Sequence, residues 1–245
     1  MIKLELHARP PQLTPELQAE LTQEFKDTTK SVWNIDWLKE AVSNLSFGKC
    51  CYSEIRLGEE SNYMEIEHFH PKNLYEDEVM LWGNLLPSCK KCNGTKHNHD
   101  TVKEPIVNPF FDNPKDYLYL KNYRYCHRNN NQIGKTTIDV LALNDRNHFV
   151  TPRFKIGNEV IERLLDFAEN IDSIDIPRKG PRYITRLKSL LEQGNRKAEY
   201  AALVSTTILS DTNFIEIERV LKEKALWDND FKSLKEELKF CALLE

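Results

Sequence analysis

The sequence predicts an α+β chain that is predominantly helical, and three observations carry that prediction. Apolar residues recur at helical spacing in successive segments from about residue 152 onward. Two further helical segments precede Gly48. Between residues 49 and 67, two short alternating runs flank a polar turn, which reads as a β-hairpin. Composition agrees with a folded chain: 40% apolar and 29% charged residues can bury a core. No apolar run approaches the ~20 residues that a bilayer-spanning helix needs, so no membrane association is expected. Residues 1–7 show no basic segment followed by a long apolar stretch, so the expected compartment is the cytoplasm. There the six cysteines are expected as reduced thiols or metal ligands rather than disulfides. The net charge is −4. A chain that grips nucleic acid alone usually carries a basic footprint, so any such surface must be local or supplied by a partner.

In chain order, residues 2–6 alternate and read as a short strand. Thr14-Pro15 starts a helix, with the hydroxyl as cap and proline at the first helical position, and Leu17, Leu21 and Phe25 follow on one face. A second helix runs from about Ile35 to Leu45 with Leu38, Ala41, Val42 and Leu45 on one face. Trp33 and Trp37 are expected in the core, and Gly48 terminates the segment. Lys49 to Arg56 and Tyr63 to Glu67 form the expected hairpin around Gly58-Glu59-Glu60-Ser61-Asn62. Pro71-Lys72 opens a loop to about Leu81, and Asn93 to Lys96 falls in a short helix. Residues 98–114 read as a wrapping loop. A second hairpin is expected from Tyr117–Tyr125 and Gln132–Ile138 across Asn129-Asn130-Asn131, with Thr137 capping a helix through Leu143. Helices follow near 152–169, 180–193, 196–209, 213–226 and 229–243, with Ile161, Leu164, Leu165 and Ala168 illustrating the period. The expected organisation is an N-terminal helical segment (1–48), a central core (49–110), and a wrapping hairpin with C-terminal helices (111–245).

The chemistry concentrates between Glu65 and Lys96. Cys89-x-x-Cys92 can close on one Zn²⁺ as half of a tetrahedral site. Cys50 to Ser53 has the spacing of the other half but ends in a poor zinc ligand, so the set is Cys50, Cys89 and Cys92 with Cys51, Ser53, a His or a water at the fourth position. Reduced core thiols are the competing reading. Cys126 and Cys241 stand apart. Glu67-His68 joins a carboxylate to an imidazole whose ordinary pKa, near ~6.5, lets it accept a proton at neutral pH. A carboxylate with a downstream Asn carbonyl suits Mg²⁺ or Mn²⁺ rather than a thiol-seeking metal. Strand neighbours point to opposite faces, so both can serve one site only at a strand end. Taken alone, such a pair is more often a surface glutamate beside a packed histidine.

Together, Cys50-Cys51-Tyr52-Ser53-Glu54, Ile66-Glu67-His68-Phe69-His70-Pro71-Lys72, Trp82-Gly83-Asn84-Leu85-Leu86-Pro87 and Cys89-Lys90-Lys91-Cys92-Asn93-Gly94-Thr95-Lys96 resemble the HNH endonuclease family. The resemblance implies a ββα-metal core over 49–110, with His68 as general base, Glu67 and Asn93 as ligands of a catalytic Mg²⁺ or Mn²⁺, and Asn84 orienting the base and holding the loop. His97 is a further donor that the pattern does not require. Asn93 stands where many members have His, and Ser53 departs from the usual second Cys, which puts the structural zinc in doubt. In detail the pattern is similar to the PtuB-type branch, tied to Septu and retron-linked anti-phage systems, and the likeness spans roughly residues 30–155. It implies a PtuA-type partner ATPase in a hetero-oligomeric complex, an activity held in check until infection, and DNA or tRNA as target. His70, beside the base, is a candidate substrate contact, and Lys90, Lys91 and Lys96 are candidate phosphate contacts. The basic run 178–197 reads either as a phosphate-binding surface or as a solvated helix face. Residues from Asp211 onward are net acidic and read as core packing or as a face for the ATPase. The alternative to an enzyme is a non-catalytic zinc-knuckle scaffold that binds nucleic acid or protein.

Overall fold

Thr14 opens the first helix of the computed structural model by accepting the Leu17 amide on its hydroxyl at 3.2 Å, which satisfies one of the amides a helix start leaves without a partner. The structure describes residues 1–58 and 63–245, so the Glu59 to Asn62 turn lies outside the described residues. The fold is mostly helical with small antiparallel sheets. Two compact units are present: one of residues 1, 3–117 and 127–143, the other of residues 2, 118–126 and 144–245.

In the first unit, α1 (Pro15–Thr28) is followed by α2 (Asp36–Asn44), which buries Leu38 and Val42. Gly48 adopts φ 72° and returns its amide to the Ser43 carbonyl at 3.0 Å. That left-handed conformation is the reason for glycine there. Residues 2–6 form no strand: the Leu4 amide bonds instead to the Pro109 carbonyl at 2.9 Å. The expected pairing of 49–56 with 63–67 is also replaced. Residues 49–56 fold on themselves as a knuckle, with Cys50 N–H donating to Ile55 O at 2.9 Å and Glu54 N–H to Cys50 O at 3.0 Å. With its backbone groups engaged internally, the knuckle offers no ladder. Strand β1 (Met64–His68) therefore pairs with β2 (Leu85–Cys89), setting Glu67 opposite Leu86 and His68 opposite Leu85. Pro87 has no amide to donate, but its carbonyl accepts the Cys51 amide at 2.9 Å and ties the knuckle to β2. Helix α3 (Lys90–Lys96) leaves β2 directly, capped by Cys89, whose sulfur accepts the Cys92 amide at 3.4 Å. Two antiparallel strands and a helix thus form one continuous platform.

Strands β3 (Leu118–Lys121) and β4 (Arg124–His127) turn at Asn122 and Tyr123, both left-handed at φ 49° and 64°. A two-residue turn of that hand matches the strand twist. The expected second strand, 132–138, is helical instead and belongs to α4 (Gln132–Val140). Asn131 is its cap rather than a turn residue, accepting the Gly134 amide at 3.1 Å. Thr137 lies inside that helix, where its hydroxyl donates to Ile133 O at 2.7 Å and accepts from Val107 N–H at 2.8 Å.

In the second unit, five helices follow: α5 (Thr151–Glu169), α6 (Gly180–Glu192), α7 (Ala201–Ser210), α8 (Thr212–Glu223) and α9 (Asn229–Cys241). Leu164, Phe167, Leu187, Ile208, Ile217 and Leu238 belong to their shared core. On α5 the buried stripe is Val160, Leu164 and Phe167, whereas Ile161 and Leu165 are exposed; one residue of offset turns a side chain by about 100°. Phe214, Ile217 and Leu221 are core residues. Within the basic run, Lys188 pairs with Asp228 and Asp230 at 2.6 and 2.7 Å, and Arg196 pairs with Glu237 at 2.6 Å. Those charges are engaged inside the unit.

Candidate active site

Strand β1 ends beside a cleft of about 430 Å³, lined by Glu65, Glu67 and His68 of β1, Asn93 of α3, His97 just past the end of α3, and Trp33 from the connection between α1 and α2, among others. The helical repeat divides α3 between two tasks. Cys92 and Lys96, four residues apart, are buried, while Asn93 reaches the cleft, and His97 lines it from the residue that ends the helix, at φ 47°.

His68 is buried, and its Nε2 lies 2.9 Å from the Val79 carbonyl. A carbonyl only accepts, so Nε2 carries the proton and Nδ1 keeps its lone pair. Burial, reinforced by the positive charge of Lys72 and opposed by the Val79 bond, lowers the imidazole pKa to about 3. The ring is therefore neutral at pH 7. The indole of Trp33 meets it edge-on, with centroids 4.5 Å apart and planes at 76°. Trp33 was expected in the core; it is only half-buried and forms part of the cleft wall.

Glu67 turns to the opposite face of β1, as strand alternation requires. Its Oε1 is 2.7 Å from the Lys96 ammonium and 3.5 Å from the Tyr52 hydroxyl. Lys96 also donates to His68 O at 2.9 Å. Burial raises the Glu67 carboxyl to about 7, against the pull of Lys96 and then Lys72. Lys96 is thus fully enclosed and ion-paired, not exposed to a substrate. Lys90 and Lys91 do not line the cleft, and His70 turns its Nδ1 to Glu78 at 2.6 Å. Asn93 donates to Glu65 Oε2 at 2.7 Å. Glu65 had no role in the sequence reading, although the period of two places it on the same face of β1 as Glu67.

Among the described residues, the Asn84 side chain sends its hydrogen bonds to the neighbouring loop and not to the His68 ring. Its Oδ1 accepts the His70 amide at 2.7 Å, and its Nδ2 donates to the carbonyls of His70 and Glu78 at 3.2 and 3.1 Å. Glu78 precedes Val79, so Asn84 fixes the loop that holds the imidazole. Thr101 adds a bond to Phe69 O at 2.9 Å.

The thiols form a separate centre. Cys50, Cys89 and Cys92 are buried with their sulfurs within 4.8 Å of one another, a group able to hold a metal ion. Ser53 Oγ lies 3.8 Å from Cys89 Sγ, which sets a hydroxyl beside the group where a fourth thiol would complete it. Burial pushes the Cys50 thiol up, but hydrogen bonds from Cys89, Cys92 and Ser53 outweigh it and hold Cys50 well below the ordinary thiol range. Donation to Cys50 in turn pushes Cys89 up to about 12, and burial raises Cys92. Cys51 is buried outside this group.

Over 240 aligned residues, covering 96% of this chain and 92% of the relative, the sequence is 40% identical to the Septu protein PtuB of Bacillus thuringiensis. The chain belongs to the PtuB family of Septu proteins. A second PtuB, from Bacillus mycoides, is 25% identical over 219 residues, covering 72% of this chain and 74% of the relative. No family model matches the chain. Among the described residues of this PtuB-family chain, no helix is long and apolar enough to cross a membrane.

Proposed function

We propose that the chain is a metal-dependent HNH endonuclease, hydrolysing phosphodiester bonds of DNA or tRNA as the effector of an anti-phage complex with a PtuA-type partner ATPase. The observation that carries this reading is His68: a neutral imidazole at a cleft, with Nε2 committed to Val79 and the Nδ1 lone pair left unprotonated. That is the state a general base needs before it takes a proton from water. The cleft's other donors are hard ones. Glu67 and Asn93, with Glu65 in the same lining, supply oxygen atoms that suit Mg²⁺ or Mn²⁺, and His97 is a further donor at the same cleft. When bound, such an ion neutralises charge on the phosphate and stabilises the departing oxygen. Lys96 holds the Glu67 carboxylate, and Asn84 fixes the loop behind the base. Cys50, Cys89 and Cys92 suit a structural Zn²⁺, with Ser53 or a water at the fourth corner. The thiol group alone would serve a non-catalytic scaffold equally well; the oriented imidazole favours the enzyme.

The test is cleavage of plasmid DNA and tRNA with Mg²⁺, with Mn²⁺ and with EDTA, by the chain alone and together with the partner ATPase. His68→Ala is expected to cost ~10²–10⁴-fold in rate while the protein still folds and assembles. Wild-type rates from that variant would remove His68 from the role of base.

A further inference from the structure

The cleft carries a cation that the foregoing mechanism does not use. Lys72 lines it, half-buried, with its ammonium 5.2 Å from the centroid of the Trp33 ring. The other lysines nearby are committed elsewhere: Lys96 to Glu67 at 2.7 Å, and Lys39 to Asp36 at 4.0 Å. Lys72 forms no ion pair among the described residues, and its ammonium lies over the Trp33 indole face instead. An aromatic face attracts an ammonium without neutralising it, so the positive charge stays available to an anion entering the cleft. Its field already bears on both Glu67 and His68.

Trp33 joins this cation to the base. The same ring that meets Lys72 also meets the His68 imidazole edge-on at 4.5 Å, and Phe25 of α1 packs against it at 5.8 Å. The ring comes from outside the β1–β2–α3 platform and is anchored on the N-terminal helix.

On the reading of the cleft as a nuclease site, we infer that Lys72 contacts the substrate phosphate, and that Trp33 is a positioning residue holding Lys72 and His68 in register. A lysine serves here as a point charge rather than a bidentate fork, so arginine should replace it in part. Trp33 acts through its neighbours. Its loss should lower kcat more than it raises KM, and a smaller aromatic ring should restore much of the rate.

The experiment uses the chain together with its partner ATPase. Binding of fluorescently labelled DNA and tRNA is followed by anisotropy across a salt series in EDTA, and cleavage is measured in Mg²⁺ and Mn²⁺. Lys72→Ala is expected to weaken binding and to lower the slope of log affinity against log salt by about 0.7–0.9, the signature of one lost phosphate contact, with Lys72→Arg recovering part of both. Trp33→Ala is expected to cut kcat by up to about 10²-fold, as a misplaced reacting group does, and Trp33→Phe to recover much of it. If the wild type binds and cuts while Lys72→Ala keeps its salt slope and Trp33→Ala its kcat, the inference fails and the nuclease reading stands. If the wild type neither binds nor cuts either substrate, the nuclease reading fails and takes the inference with it.

Discussion

The thiol group and the cleft share one platform of two strands and a helix, yet they treat their polar atoms in opposite ways. Cys50, Cys89 and Cys92 turn toward one another and away from solvent. In the cleft, the imidazole and the carboxyl are gripped from behind, His68 by Val79 and Glu67 by Lys96, and both still line the opening. A closed set of donors can brace a fold but cannot receive a substrate; groups held from one side can. Helix α3 serves both arrangements through its period, sending Cys92 and Lys96 inward and Asn93 to the cleft. The difference between bracing and reacting therefore rests on which face of one short helix a residue occupies.

The largest disturbance of this division is expected from the buried Glu67–Lys96 pair. Lys96→Met removes the cation that favours the ionised form of Glu67, so the enclosed carboxyl must stay charged without a partner or take up a proton, and breaking a buried pair from one side costs up to about 3–5 kcal/mol. Urea unfolding of the variant should show that loss, and Glu67→Gln added to it should recover a large part by removing the stranded charge. If Lys96→Met unfolded at the wild-type midpoint, the pair would not be holding the cleft together.

Asn84→Ala comes next. It removes three bonds to the loop of His70 and Glu78, and buried backbone groups left without partners cost about 1–3 kcal/mol. Because that loop also carries Val79, cleavage should fall together with stability, while the metal content of the thiol group stays the same. Equal loss of metal would mean that the two regions are not separable.

Legibility of the molecule followed the range of the forces involved. The five C-terminal helices were readable because their period and caps are local, as Asp211 and Asp228 show by accepting the amides of Asn213 and Phe231 at 2.8 and 3.0 Å. The strand partners were not, because β1 passes over its neighbour in sequence to reach β2, and nothing within 49–67 announces that its own backbone bonds are already made. Asn131 looked like a turn residue because caps and turns use the same side-chain chemistry. In the site, the Cys-x-x-Cys spacing and the Glu67-His68 pair were legible as donors. That Lys96 is enclosed, and that Trp33 stands against the imidazole, depends on long-range packing that no local pattern encodes. Glu65 was hidden by its likeness to any exposed strand glutamate.

The smallest expected effect is also the one that sharpens the comparison most. Ser53 occupies the position where a fourth thiol would complete the group, 3.8 Å from Cys89 Sγ. A thiolate is a far better ligand for zinc than a hydroxyl, so Ser53→Cys should tighten Zn²⁺ retention by at least about tenfold, or roughly 1.4 kcal/mol, measured by competition with a chelator. The substitution adds no bulk to the cleft and leaves Lys96, Val79 and Trp33 in place. Cleavage should then stay within about 0.5 kcal/mol of the wild type, as for a change remote from the chemistry. Unchanged zinc retention would show that the three thiols do not form a metal centre. A large change in cleavage would show instead that the brace and the reacting groups are coupled through β2 and α3, and the two regions would have to be treated as one site.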